Sequence, residues 1–237
     1  MISADYWTQS QLPLTCLAFL LTPMVIYELG TRYLTRQQII AFRLLEDFFN
    51  FFGATGPHLP ALAVVGILLA MHIARNDRWL VNPAIVGRMA VESLLLALPI
   101  IGISIVAARY LPRLPLVGTS HAAMATGPSK VSMIVLSCGA GIYEELVFRL
   151  IAFTLLNLLI VDIFRVRKRL SALLIVAIPA ILFSVYHYLG YEHFTLHSFV
   201  FRTVAGIYFG VVFLYRGFGI TAGSHAAYDI LIVLLTP

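Results

Sequence analysis

Charge is scarce in this sequence. Only 11% of its 237 residues are Asp, Glu, Lys or Arg, against 60% hydrophobic residues and a mean hydropathy of +0.93. A soluble domain of this length cannot cover its surface with so little polarity, so the composition excludes that class and indicates an integral membrane protein. Cysteine is nearly absent as well. Cys16 and Cys138 both lie in apolar runs far apart in sequence, which excludes a disulfide framework and leaves two buried thiols. The tail Met1 to Gln11 has no basic residue ahead of the first apolar run and no small-residue cleavage site follows, so that run is expected to be a retained span. No internal repeat is visible, which argues against a transporter built from inverted repeats.

What the chain has in quantity is apolar runs of spanning length, over about 14–30, 59–74, 91–108, 131–161, 170–189, 198–215 and 219–236. The expected fold is therefore all-α, a polytopic transmembrane helix bundle of about seven to eight spans. Between the first two runs, Ile39 to Phe52 mixes three charges with aromatics and reads as an amphipathic helix in the interface. Arg109 to Lys130 carries Pro112, Pro115, Gly118, Gly127 and Pro128 and reads as a loop. The chain divides into N-terminal helices (1–130) and a C-terminal half (131–237) holding nearly all the polar groups expected at depth.

Net charge is +5, but the one dense basic run, Arg165-Val166-Arg167-Lys168-Arg169, sits between two spans, where the positive-inside rule places such residues. It marks a cytoplasmic loop, not a nucleic-acid site. With seven spans alternating from that loop, Arg75, Arg78, Arg88, the four basic loop residues and Arg216 fall inside. Arg32, Arg36, Arg43, Arg109, Arg113 and Lys130 fall outside, a weak preference for this topology.

Three polar clusters interrupt the C-terminal runs. The first is Glu144-Glu145 with Arg149, inside the run from Val131 to Val161. An acidic or basic residue at mid-membrane costs roughly 2.5 to 3.5 kcal/mol on insertion scales, so three of them largely cancel the favourable insertion of their own helix. Glu145 and Arg149 have the i, i+4 spacing and Glu-first order that favour an ion pair, whereas Glu144 is turned about 100° away and has no partner along the helix. An unpartnered carboxyl in low dielectric is a usable general base. The second cluster places Phe183 and His187 four residues apart, and the third places His225 and Asp229 four apart among the small residues Gly223, Ser224, Ala226 and Ala227. The bland alternative is an interhelical salt-bridge network without chemistry.

Other protease chemistries fit poorly. HExxH is absent, no GxSxG surrounds Ser224, and an aspartic dyad would lack a second aspartate at depth. Zinc held by Glu144, His187 and His225 is a minority alternative to a site without any cofactor.

In order along the chain, Glu144-Glu145 with Arg149, Phe183 with His187, and His225 with Asp229 resemble the EExxxR, FxxxH and HxxxN/D pattern of the CPBP family. This family comprises the CAAX proteases and bacteriocin-processing enzymes. The likeness covers roughly Val131 to Leu235 and includes the glycine-bearing stretch Arg202 to Gly217. It implies a CAAX-protease-like catalytic core in the C-terminal half and a glutamic-type intramembrane endopeptidase. The substrate would be a membrane-anchored or C-terminal-tail protein or peptide within the bilayer. In that reading Glu144, helped by His187, activates water, His225 with Asp229 stabilises the oxyanion, and Glu145 with Arg149 forms a structural pair. Asp229 stands where many members have Asn. The expected location is a bacterial cytoplasmic membrane. A non-catalytic immunity protein, a scaffold or a carrier using the same cluster is the alternative.

Overall fold

Proline and short polar caps cut the apolar runs into helices. The computed structural model describes residues 4–35, 37–110, 129–190 and 192–236, and among these there is no strand. A short α1 (Ala4–Gln9) precedes α2 (Pro13–Gly30), which starts on a proline whose missing N–H is no loss in a first turn and which continues as a π-wound turn, Thr31–Thr35. Then come α3 (Ile40–Phe51), α4 (Leu59–Arg75) and α5 (Pro83–Tyr110). The C-terminal half opens with α6 (Lys130–Gly139), where the Ser129 hydroxyl accepts the Ser132 N–H at 3.1 Å, satisfying one of the donors a helix start leaves open. The same rod runs on through π-wound Ala140–Glu144 and Leu146–Ile151, α7 (Ala152–Asn157) and π-wound Leu158–Ile163. After the basic loop follow α8 (Lys168–Tyr186), closed by a 3-10 turn at His187–Leu189, and α9 (Leu196–Leu235), capped by the Thr195 hydroxyl. Apart from its ends, the loop expected over 109–130 lies outside the described residues.

Among the described residues, five helices are long and apolar enough to cross a membrane: Pro13–Thr35, Pro83–Ala107, Lys130–Ile163, Lys168–Leu189 and Leu196–Leu235. The last of these is two spans. Gly217 has φ +75° and ψ −176°, a region that only glycine enters without strain, and the helix breaks there. Phe209 and His225, eight residues before and after Gly217, stack with ring centroids 4.8 Å apart. In one straight helix they would be about 24 Å apart. The chain therefore folds back into an antiparallel hairpin with arms 196–216 and 218–235. With the shorter apolar α4, Leu59–Arg75, the helices cover all seven runs read from the sequence.

Many large apolar side chains face outward, among them Leu62, Leu95, Leu98, Leu173 and Leu214, as suits a surface solvated by lipid rather than water. The interior is built in blocks. Tyr27, Phe42 and Tyr143 meet at centroid distances of 5.0 to 5.4 Å and join α2 and α3 to the rod that carries Glu144. Ala97, Ile100 and Ile101 of α5 pack with Phe201, Ala205 and Phe209 of the first hairpin arm and with Ala227, Tyr228 and Ile232 of the second. α3 falls where an amphipathic helix is expected, with Ala41, Phe42 and Leu45 buried and Phe48, Phe51 and Phe52 exposed.

Candidate active site

Close packing at one glycine brings the glutamates to the hairpin. A Cβ on Gly141 would stand 2.5 Å from the Ala222 carbonyl and 2.7 Å from Ala226, so only glycine lets the rod settle against the second hairpin arm. One helical turn on, Glu144 and Glu145 then meet His225. Both glutamates are buried, at 6% and 0% exposure.

His225 is held on three sides. Its Nδ1 lies 2.7 Å from Glu145 Oε1, and its Nε2 lies 3.8 Å from Glu144 Oε2 and 3.6 Å from Asp229 Oδ2. Phe209 covers its ring face to face, with an interplanar angle of 17°. The resemblance pairs His225 with Asp229 and gives Glu145 to Arg149 as a structural pair. In the structure Glu145 makes the hydrogen bond, while Asp229 stands beyond hydrogen-bond range on the other nitrogen. The π winding explains why this was not foreseen. A π-helix turns through less than 100° per residue, so two consecutive carboxylates can face one imidazole.

His187 comes from the 3-10 turn that ends α8. Its Nδ1 is 2.7 Å from the Phe183 carbonyl, which can only accept, so Nδ1 carries a proton and Nε2 is left to face Glu144 Oε2 at 3.9 Å. That distance is too long for a direct hydrogen bond and suits a shared water. Phe183 lies against both histidines and Arg149. Its ring lies 4.8 Å from that of His187 and 5.8 Å from that of His225, and the Arg149 guanidinium sits 4.6 Å above it.

The ion pair expected within the first motif is formed. Arg149 Nη1 is 3.0 Å from Glu145 Oε1, and Nη2 donates to the Gly206 carbonyl of the first hairpin arm at 3.3 Å. Arg149 is 1% exposed, so the carboxylate, the carbonyl and the Phe183 face together replace its hydration.

Two neighbours escaped the sequence reading. The Tyr186 hydroxyl donates to Glu144 Oε1 at 3.2 Å, and Phe209 forms the lid on His225. Tyr186 immediately precedes the histidine of its motif, but Phe209 is visible only once the hairpin is known. Beside the centre, Arg202 is 4% exposed and pairs bidentately with Glu192 at 2.8 and 2.6 Å. No three His, Cys, Asp or Glu side chains among the described residues are grouped to hold a metal ion, so zinc at Glu144, His187 and His225 would require them to draw closer.

The helical bundle and its buried glutamate–histidine centre define a multi-pass integral membrane protein with an enzyme-like site inside its span region. Residues 126–231, which contain all three motifs, match the family model described as Type II CAAX prenyl endopeptidase Rce1-like. This segment is similar to the CPBP family of CAAX-type proteases. Comparisons with curated proteins and with solved structures give no match.

Proposed function

We propose that this protein is a glutamic-type intramembrane endopeptidase that hydrolyses a peptide bond in a membrane-anchored or C-terminal-tail substrate of a bacterial cytoplasmic membrane, without a cofactor. One observation carries the reading. Glu144 Oε2 lies between the Nε2 atoms of His187 and His225, 3.9 and 3.8 Å away, at a buried point where three separate elements converge.

A water between Glu144 and His187 gives its proton to the Glu144 carboxylate as its oxygen attacks the substrate carbonyl carbon. His225, protonated on both nitrogens, keeps Nδ1–H on Glu145 and turns Nε2–H towards the oxyanion, a contact commonly worth about 2.7 to 4 kcal/mol. Collapse of the tetrahedral intermediate breaks the C–N bond, and the proton held by Glu144 passes to the leaving amine. The products are a new carboxyl terminus and a new amino terminus. Arg149 balances Glu145, and Asp229 adds negative charge beside His225.

Mass spectrometry of protein termini in membrane and secreted fractions tests this reading. Cells carrying this protein are compared with cells carrying Glu144→Ala at matched expression. A defined set of termini is expected to vanish with Glu144→Ala, and those sites give the specificity. Unchanged termini, with a deletion phenotype retained, would favour the immunity or scaffold alternative. Activity lost on chelation and restored by zinc would favour the metal alternative.

A further inference from the structure

The two oxygens of Glu144 have different neighbours. Oε2 faces His187 and His225, whereas Oε1 is 3.2 Å from the Tyr186 hydroxyl. That hydroxyl is also 2.6 Å from the backbone nitrogen of Ala41, from which it accepts. A tyrosine hydroxyl has one hydrogen. With an N–H arriving from Ala41, its own hydrogen is directed to Glu144. Ala41 is the second residue of α3, where helix geometry leaves backbone N–H groups without an intrahelical partner. Tyr186 answers that need from α8, and its ring is fixed between Phe148 at 5.1 Å and His187 at 5.0 Å. Tyr27 gives an internal comparison, because its hydroxyl accepts the Ile39 N–H of the same segment at 3.2 Å.

We propose that Tyr186 is a positioning residue for Glu144. By binding Oε1 it fixes the carboxylate plane and confines proton exchange to Oε2, the oxygen between the imidazoles, and through the Ala41 N–H it makes this alignment depend on the seating of α3. The inference rests on Glu144 being the general base. The other charged or titratable groups around the carboxylate are His187, His225, Asp229 and the Glu145 to Arg149 pair.

The test uses the full-length protein in lipid nanodiscs and a quenched fluorescent peptide spanning the first cleavage site found in the comparison of termini. Glu144→Gln is measured first. If it retains the wild-type rate, the general-base reading fails and this inference falls with it. If it is inactive, Tyr186→Phe and Tyr27→Phe are compared for kcat, KM and the pH–rate profile. Loss of a hydrogen bond to a charged group is expected to lower kcat of Tyr186→Phe about ten- to hundredfold at unchanged KM, and to move the limb of the profile assigned to Glu144 by about one pH unit. Tyr27→Phe is expected to stay within about twofold of wild type with an unmoved profile, since it loses only an anchor of α3. Equal effects of the two substitutions, or a Tyr186→Phe profile identical to wild type, would overturn the proposal. Should Tyr186→Phe not accumulate, 3-fluorotyrosine at position 186 keeps both hydrogen bonds and changes only hydroxyl acidity. A displaced pH limb then supports the proposal and an undisplaced one overturns it.

Discussion

Glu145 has two duties that a single substitution separates from those of its neighbour. Its Oε1 meets both Arg149 and His225, so Glu145→Gln leaves a buried guanidinium uncompensated and frees the imidazole to turn. Breaking a buried pair from one side costs about 3 to 5 kcal/mol, and thermal unfolding in detergent should show a loss of that size together with loss of turnover. Glu144 has no cation paired to it at hydrogen-bond distance among the described residues, so Glu144→Gln should cost turnover without a comparable loss of stability. Asp229 should matter less than either. Since His225 keeps its bond to Glu145, Asp229→Asn is expected to retain activity within about tenfold, read as kcat/KM on the same peptide. The residues of the centre were legible in the sequence because charge in an apolar run is conspicuous, and the i, i+4 spacing gave the Glu145 to Arg149 pair. The cross-helix bond from Glu145 to His225 was not legible. Spacing reports neighbours on one helix, and the π winding altered even that geometry.

Among the elements, the hairpin of α9 does most to assemble the site. The break at Gly217 was readable as a gap between two apolar runs, but the sequence does not say that the second run returns along the first. That return places Phe209 over His225 and the Gly206 carbonyl within reach of Arg149. A side chain at φ +75° and ψ −176° is strained by about 1 to 3 kcal/mol, so Gly217→Ala should lower stability by that amount. If the hairpin reopens to relieve the strain, turnover falls by more than the stability loss alone explains. Comparing thermal melts with single-turnover rates separates the two effects. Gly141 plays the complementary part on the rod, where a Cβ would meet the Ala222 carbonyl and Ala226.

At the scale of the whole molecule, the N-terminal half offered no motif, and the structure gives it a mechanical role. The tip of the hairpin is pinned by Arg216, whose Nε and Nη2 donate to Glu92 of α5 at 2.6 and 2.7 Å, with Nη2 also donating to the Ser10 hydroxyl at 2.9 Å. Tyr6 donates to the same carboxylate at 2.6 Å, and the guanidinium lies 4.0 Å over the Trp7 ring. Glu92→Gln is expected to lower stability by about 3 kcal/mol and to reduce accumulation in the membrane, while the molecules that fold keep a normal KM. Single-sequence reasoning could not reach this clamp, because Ser10 and Arg216 lie 206 residues apart and each alone reads as a polar residue near a span end.

The most direct test of the central claim is the rate of peptide hydrolysis by the reconstituted protein with Glu144 replaced by Gln, measured beside wild type at matched amounts of folded protein. Removing a general base and its positioned water is expected to lower kcat by a factor of about a hundred to ten thousand, with the melting temperature close to wild type. Hydrolysis by Glu144→Gln at a rate near that of wild type would contradict the assignment of Glu144, and with it the mechanism built on the two histidines.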